Sequence, residues 1–458
     1  MFTSNALPRP LLGALLLCVS VGSQAAILLV TTQTDSHDGQ CNLHCSLRDA
    51  VSVANQSANP DLILLFPGTY VLSLPAALDG DGVPIDDDDN PIGDLDILGD
   101  LRIRGLGLSS TGSRIKAQFN DRLIEVRPGA RLRLEQLTLE GGNSAHNGGA
   151  VENHGSLRLH KVLLQNNQAV TTIAQVPPDQ AFSHGQGGAI ANHGDLTITA
   201  SRLQFNNAQG SGNGNDNTGR GGALFNRGTL RVRDSLFYQN AAFDLGDNGA
   251  GAALYNLGQA RLERSSVIDH GHPELAEGGA ITNRNGELNL VNSSMSQNGA
   301  VLTNGFLDDP AGPRAKATLT HVTMTGNAGY AILNWSDLLI RNSILAGNLD
   351  PYSDQPANCI NMRDNFSYQA IGLLRNDEPS NCDADLFVPF AQTFTQVLSP
   401  TLTSDGKTFF HALLPGSPAV DAGIGSCVSK DQRGVSRPQD GNADGVAVCD
   451  LGAYELKP

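Results

Sequence analysis

Six segments of this chain share one short pattern: GGAVEN (148–153), GGAIAN (187–192), GGALFN (221–226), GAALYN (251–256), GGAITN (278–283) and GYAILN (329–334). A weaker copy, GAVLTN, stands at 299–304. After most copies come a Gly, a stretch of alternating apolar residues such as Leu157-Arg158-Leu159 or Leu230-Arg231-Val232, and a second polar position. That position holds Asn167, Asn207, Asn240, His270, Asn298, Asn327 and Asn348. For the six full copies, the offset from the first motif Gly to it is 19, 20, 19, 19, 20 and 19 residues. The connection onward to the next motif instead runs 19 residues (168–186), 13 (208–220), 10 (241–250), 7 (271–277) and none before Gly299. The weak copy carries its insertion at about 305–316.

A fixed unit with insertions at one corner is the signature of a solenoid, in which each rung buries its apolar face against its neighbours. Period-two alternation makes the rungs strands. Gly supplies left-handed backbone at tight corners, Asn tolerates it, and stacked Asn side chains can hydrogen-bond as a ladder. The unit is too short for a propeller blade, which needs about 40–50 residues. The sequence therefore predicts an all-β, right-handed parallel β-helix with capped ends, running from Leu62 to Leu345. Ser46-Leu47-Arg48-Asp49 fits a helix capping box, and Leu47, Ala50, Val51 and Ala54 follow helical spacing, so a short helix is expected over the first rung. The expected divisions are a leader (1–25), an N-terminal cap (26–60), the β-helix (61–348) and a C-terminal cap (349–458).

The leader is read from Arg9, the apolar run Leu11 to Val21, and the small-residue pattern Ser23-Gln24-Ala25, with cleavage after Ala25. A lipoprotein leader at Cys18 is disfavoured by the bulk of Leu17. The apolar run is too short to span a bilayer, and no other segment is long enough. The expected location is secreted or extracellular, with the periplasm as the alternative. Removing Arg9 and Cys18 takes the formal charge from −16 to −17 and leaves six of seven cysteines. An even number in an exported chain predicts disulfides, and local grouping predicts Cys41–Cys45, Cys359–Cys382 and Cys427–Cys449. The acidic balance argues against nucleic acid as a partner.

CSLRDAVSVAN (45–55) resembles the CSLREA domain of secreted bacterial β-helix proteins, and GDLDILGDLRIRG (93–105) resembles the segment that follows it. The GGAIxN rungs are similar to the repeats of polymorphic membrane proteins. SPAVDAG (417–423), DQRGVSRPQDG (431–441) and CDLGAYE (449–455) resemble the choice-of-anchor Q domain. These resemblances imply an exported right-handed β-helix and no particular activity.

Residues just after each motif Asn should stack along one edge: His154, His193, Arg227, Leu257, Arg284, Gly305 and Trp335. The two His and two Arg form a cationic line suited to an acidic glycan, and Trp335 is suited to stacking on a sugar; the bland alternative is a row of solvated turn residues. The motif Asn column itself reads as structural. Asp440-x-Asn442-x-Asp444-Gly445, with Asp450 further on, copies the first half of a calcium loop, the alternative being an Asx-rich turn. Asp79, Asp81 and Asp86 to Asp89 form a second, less specific acidic stretch. Glu152, Asp195 and Glu277 lie near the motifs, but spacing pairs none of them with a carboxylate on a neighbouring rung, so the sequence names no catalytic set. The expected function is binding of extracellular polysaccharide or a cell surface by a monomer. The alternative is a polysaccharide lyase or glycoside hydrolase acting in a groove.

Overall fold

The computed structural model describes residues 25–458 except 81–83, 86–88, 108–111, 120, 171–184, 211–218, 244–248, 271–278, 307–313, 351, 363–365 and 377–380. Nearly all of the expected leader, and most of the acidic stretch around Asp86, therefore lie outside the described residues.

The chain winds into a right-handed parallel β-helix, the hand that parallel strand crossovers adopt almost without exception. A representative rung has a short first strand (Val151–Asn153), a long strand (Ser156–His160) and a short third strand (Leu163–Gln165). Each pairs in parallel with its counterpart one rung on, at Ile190–Asn192, Asp195–Thr199 and Arg202–Gln204. Ten first strands, from Leu95–Ile97 to Cys359–Asn361, form one continuous sheet. Alternation does what the sequence requires: Leu157, Leu159, Leu196, Ile198, Leu230 and Val232 point into the core, each at most 2% exposed. Burying an aliphatic side chain to that degree contributes about 1.5–3 kcal/mol.

Glycine is obligatory at the motif corner. Gly187 has φ +71°, and a Cβ there would lie 2.2 Å from the Ile190 carbonyl oxygen. At the corner after the long strand, Lys161, Ala200, Asp234, Arg264, Asn292 and His321 all adopt left-handed backbone without being glycine. A serine stack supports this corner. Backbone N–H groups of Val162, Ser201, Ser235 and Ser265 donate in turn to the hydroxyls of Ser201, Ser235, Ser265 and Ser293.

The motif asparagines form the expected ladder. Asn153, Asn192, Asn226, Asn256, Asn283, Asn304 and Asn334 each donate from Nδ2 to Oδ1 of the next, ending at Asn361, over 2.6–2.8 Å. The second ladder runs Asn167, Asn206, Asn240, His270, Asn298, Asn327, Asn348. Its second member is Asn206, not the expected Asn207, which opens a fourth strand, Asn207–Gln209. With Asn206 the offset from Gly187 becomes 19, like its neighbours. The remaining offset of 20 has a local cause. Asn283 and Glu287 bracket one residue more than Asn256 and Gln259, which they pair with.

Parallel pairing runs past both expected ends. Ile27–Leu29 already pairs with Asp61–Leu65, and beyond residue 348 the strands Cys359–Asn361, Tyr368–Asn376 and Leu386–Val388 continue the stack. These turns lack the motif because their corners are built differently, one of them closed by Cys359–Cys382. Helix α1 (Leu47–Asn55) forms with the Ser46/Asp49 capping box, and Leu47, Ala50, Val51 and Ala54 are buried. The bridges Cys41–Cys45 and Cys427–Cys449 are also present. Among the described residues no helix is long and apolar enough to cross a membrane.

The C-terminal segment packs along the side of the solenoid. Its antiparallel hairpin, Leu398–Ser404 with Phe409–Leu413, and the residues after it bond to third strands and corners of the later rungs. The Ser266 hydroxyl bridges the Phe409 backbone, the Ser294 hydroxyl donates to Gln432, Ser296 bonds His411, and the Thr323 hydroxyl accepts from the Ala453 N–H. A separate apolar cluster of Ile344, Leu374, Val397, Leu398, Leu413, Ala419 and Leu451 holds this strap in place.

Candidate functional site

The middle residue of each first strand points away from the core. In register, that column reads Asp96, Glu125, Glu152, Ala191, Phe225 and Tyr255. Three carboxylates thus do stack on successive rungs, where motif spacing had paired none. Two belong to rungs without the glycine motif, so spacing was blind to them. They are buried, Asp96 fully, Glu125 to 2% and Glu152 to 7% exposure. Arg122, itself buried, joins them: it contacts Glu125 Oε2 at 3.0 Å, Glu152 Oε2 at 2.9 Å and Asp94 Oδ2 at 3.8 Å. Arg127 holds the other oxygen of Glu125 at 2.7 Å.

Two residues on, the chain turns the corner and presents His154, with His193 one rung above. Their rings stack at 4.8 Å and 7°, the rung spacing itself. Both Nε2 atoms face Glu152 Oε1, at 3.3 and 3.5 Å. Burial pushes the Glu152 carboxyl up, but the two histidines and the Arg122 charge outweigh it and hold it far below the carboxylate range. Contact with Glu152 raises His154 against its partial burial. Among the described residues, Glu152, His154 and His193 are the one group of three or more His, Cys, Asp or Glu side chains whose ligand atoms converge, all within 4.8 Å. The histidines border an open depression of about 470 Å³, floored by Gly155, Gly194 and Gly228 and edged by Arg131 and Asp195.

The expected cationic line therefore exists as a line, but its members are engaged. His154 and His193 face Glu152. The Arg227 guanidinium sits 5.5 Å from the Phe225 ring, and that of Arg284 lies 4.7 Å from the Phe306 ring. Leu257 and Gly305 interrupt the series, and Trp335 is only partly exposed with its Nε1 buried. The expected calcium ligands already carry other partners. Asp440, Asn442 and Asp444 accept backbone N–H groups of their own turn, from Asp444, Gly445 and Val446. Asp450 is fully buried and accepts from the backbone of Asp421 and Leu456; burial pushes its carboxyl up to about 6. The loop is an Asx-rich turn beside Cys449.

The long-strand face carries a second feature. Its central outward column reads Arg102, Arg133, Arg158, Thr197, Arg231, Arg261 and Asn289. Five guanidinium groups line six rungs, a length of roughly 24 Å at about 4.8 Å per step. Arg102 and Arg133 share Glu135, and Arg261 pairs with Glu263. Arg158 and Arg231 are exposed and have no carboxylate partner among the described residues. A shallow groove of about 200 Å³ runs beside Arg231 and Arg261. The signal was present in sequence as Leu-Arg-Ile (101–103), Leu-Arg-Leu (132–134 and 157–159), Leu-Arg-Val (230–232) and Ala-Arg-Leu (260–262).

No family model matches the sequence, and no curated protein matches it. Solved structures that resemble it include a pectate lyase (14% identity, TM-score 0.36, 95% of this chain and 98% of that one). Others are a PL6 family alginate lyase (11%, 0.30, 84% and 55%) and the A-module of an Azotobacter vinelandii mannuronan C-5 epimerase (13%, 0.30, 72% and 95%). These superpositions are loose, and the fold stands on the strand register described above.

Proposed function

We propose that this β-helix binds an extended acidic polysaccharide along its long-strand face. The observation that carries the reading is the arginine file, Arg102 to Arg261, on a chain whose formal charge is −16. Arg158 and Arg231 have no carboxylate partner among the described residues, and each neighbours another arginine of the file, Arg133 and Arg261 respectively, a like-charge contact that an anionic partner would relieve. Guanidinium forks pair with carboxylates in two parallel hydrogen bonds, and a polyuronate offers one carboxylate per sugar at a repeat comparable to a rung. Nucleic acid fits less well. Among the described residues the file holds no aromatic side chain on which bases could stack, and the overall charge opposes a dense polyanion. The reading replaces the corner line as the binding face while keeping the ligand class. A hydrolase or lyase draws no support from the carboxylate column, because Glu125 and Glu152 are buried and engaged by Arg122.

The test is calorimetry against polygalacturonate, alginate and a neutral glucan. Polyuronates should bind, more weakly as salt rises, and Arg158→Ala with Arg231→Ala should weaken binding by about tenfold or more with the fold unchanged. Equal binding by that variant, or no binding of any polyuronate, overturns the proposal. Release of shortened products in the same incubations would favour the catalytic alternative.

A further inference from the structure

We infer that Glu152, His154 and His193 form a binding site for a zinc-class divalent ion at the edge of the corner depression. The inference is independent of the arginine file. Three donors come from two adjacent rungs, and each is held in place by the fold. Glu152 is the outward residue of its first strand, and Arg122 occupies its Oε2 at 2.9 Å, which leaves Oε1 as a single-oxygen ligand. His154 and His193 occupy equivalent corner positions, and their backbones are tied by the sheet: the His193 N–H donates to the Asn153 carbonyl at 2.8 Å. Rung stacking thus fixes two imidazoles in parallel, with their Nε2 atoms 3.3 and 3.5 Å from one oxygen, and that of His193 is buried without a hydrogen-bond partner.

The distances suit an ion of this class. A tetrahedral ion with bonds of about 2.0–2.1 Å has ligand–ligand edges of about 3.3–3.4 Å. The two oxygen–nitrogen edges are 3.3 and 3.5 Å. The third edge, between the two nitrogens, lies within 4.8 Å, so holding the ion requires the parallel rings to turn toward one another. Two imidazoles and one carboxylate select zinc and its neighbours over calcium or magnesium, which take oxygen shells. His154 and His193 border the depression floored by Gly155, Gly194 and Gly228, which leaves room beside them for water or a ligand carboxylate. Each glycine is required there by backbone proximity, since a Cβ on Gly194 would lie 2.1 Å from the Gly155 oxygen.

The experiment uses the full chain stripped of metal by a chelator. Zinc titrated by calorimetry should bind one ion per chain, calcium should not compete, and cobalt should give the visible absorption of a four-coordinate site. His154→Gln with His193→Gln should weaken zinc binding at least about tenfold and abolish the cobalt bands while circular dichroism stays unchanged. If that double variant is unstable, His154→Gln alone should still weaken binding. Equal zinc uptake by wild type and variants would assign the ion to other histidines and overturn the inference, as would no uptake by the wild type.

Discussion

His270 replaces asparagine in the second ladder, and the replacement has a thermodynamic signature. It is fully buried, its Nε2 accepts from Asn240 Nδ2 at 3.0 Å, and its Nδ1–H donates to Asn298 Oδ1 at 3.2 Å. This fixes the neutral tautomer with the proton on Nδ1, the one that continues the ladder in the same sense. Burial lowers its pKa to about 3 from 6.5, so the unfolded chain takes up a proton near pH 6.5 that the folded chain refuses until about pH 3. The stability it contributes is complete above pH 6.5 and falls as pH drops through that window, by up to about 1.4 kcal/mol per pH unit. His321, lowered to about 3 by burial, acts in the same direction. His270→Asn restores the ladder amide without a titrating group. Its melting temperature should stay near that of the wild type at pH 7.5 and exceed it at pH 5. Parallel melting curves at both pH values for the two proteins would refute this account.

At the scale of elements, the third strands change character where the strap lies on them. Ser296 and Thr325 are buried, whereas Gln165, Gln204 and Tyr238 stand half-exposed at the matching last position of earlier rungs, and at the first position Ser266, Ser294 and Thr323 are buried where Leu163 is half-buried and Arg202 exposed. Small hydroxyl residues allow the strap to approach and satisfy its polar atoms. Ser294→Leu should overfill that contact and leave Gln432 Oε1 without its 2.6 Å partner, a loss of about 1–3 kcal/mol. Limited proteolysis should then cut within 389–458 well before the solenoid, and wild-type resistance would count against the strap. Sequence reading found helix α1 and the motif rungs because local signals specify them: a capping box within four residues, a Gly that only one corner accepts. It could not find the strap, whose partners Ser266 and Phe409 are 143 residues apart and share no pattern. The corner site was half legible. His154 and His193 were singled out by position, but Arg122, Glu125 and Asp96 sit in early rungs whose register only the sheet reveals. The left-handed corner residues escaped because no single residue type marks them, although the serine that follows each on four rungs, Ser201, Ser235, Ser265 and Ser293, is a repeat visible in the sequence.

For the whole molecule, stability is a sum over neighbouring rungs, so the position of a lesion sets its effect. Asn226→Ala, in mid-ladder, removes the acceptor of Asn192 and the donor to Asn256, both in the buried core. Asn361→Ala, at the last rung, strips one partner from a part-buried contact to Asn334. The central substitution should lower the denaturation midpoint clearly more, since each buried orphan costs about 1–3 kcal/mol. Equal shifts would mean that the ladder does not act as a stack. The ladders also give the solenoid an electrical sense. In both, every oxygen faces the N-terminal rung and every donor faces the C-terminal one, His270 included. The first amide, Asn153, leaves its Oδ1 without a donor because Val126 occupies the rung below. Aligned dipoles add, as they do along an α-helix. Each ladder therefore carries its negative pole at the N-terminal end of its stack, so two such ladders meeting end to end would favour head-to-tail contact and resist head-to-head.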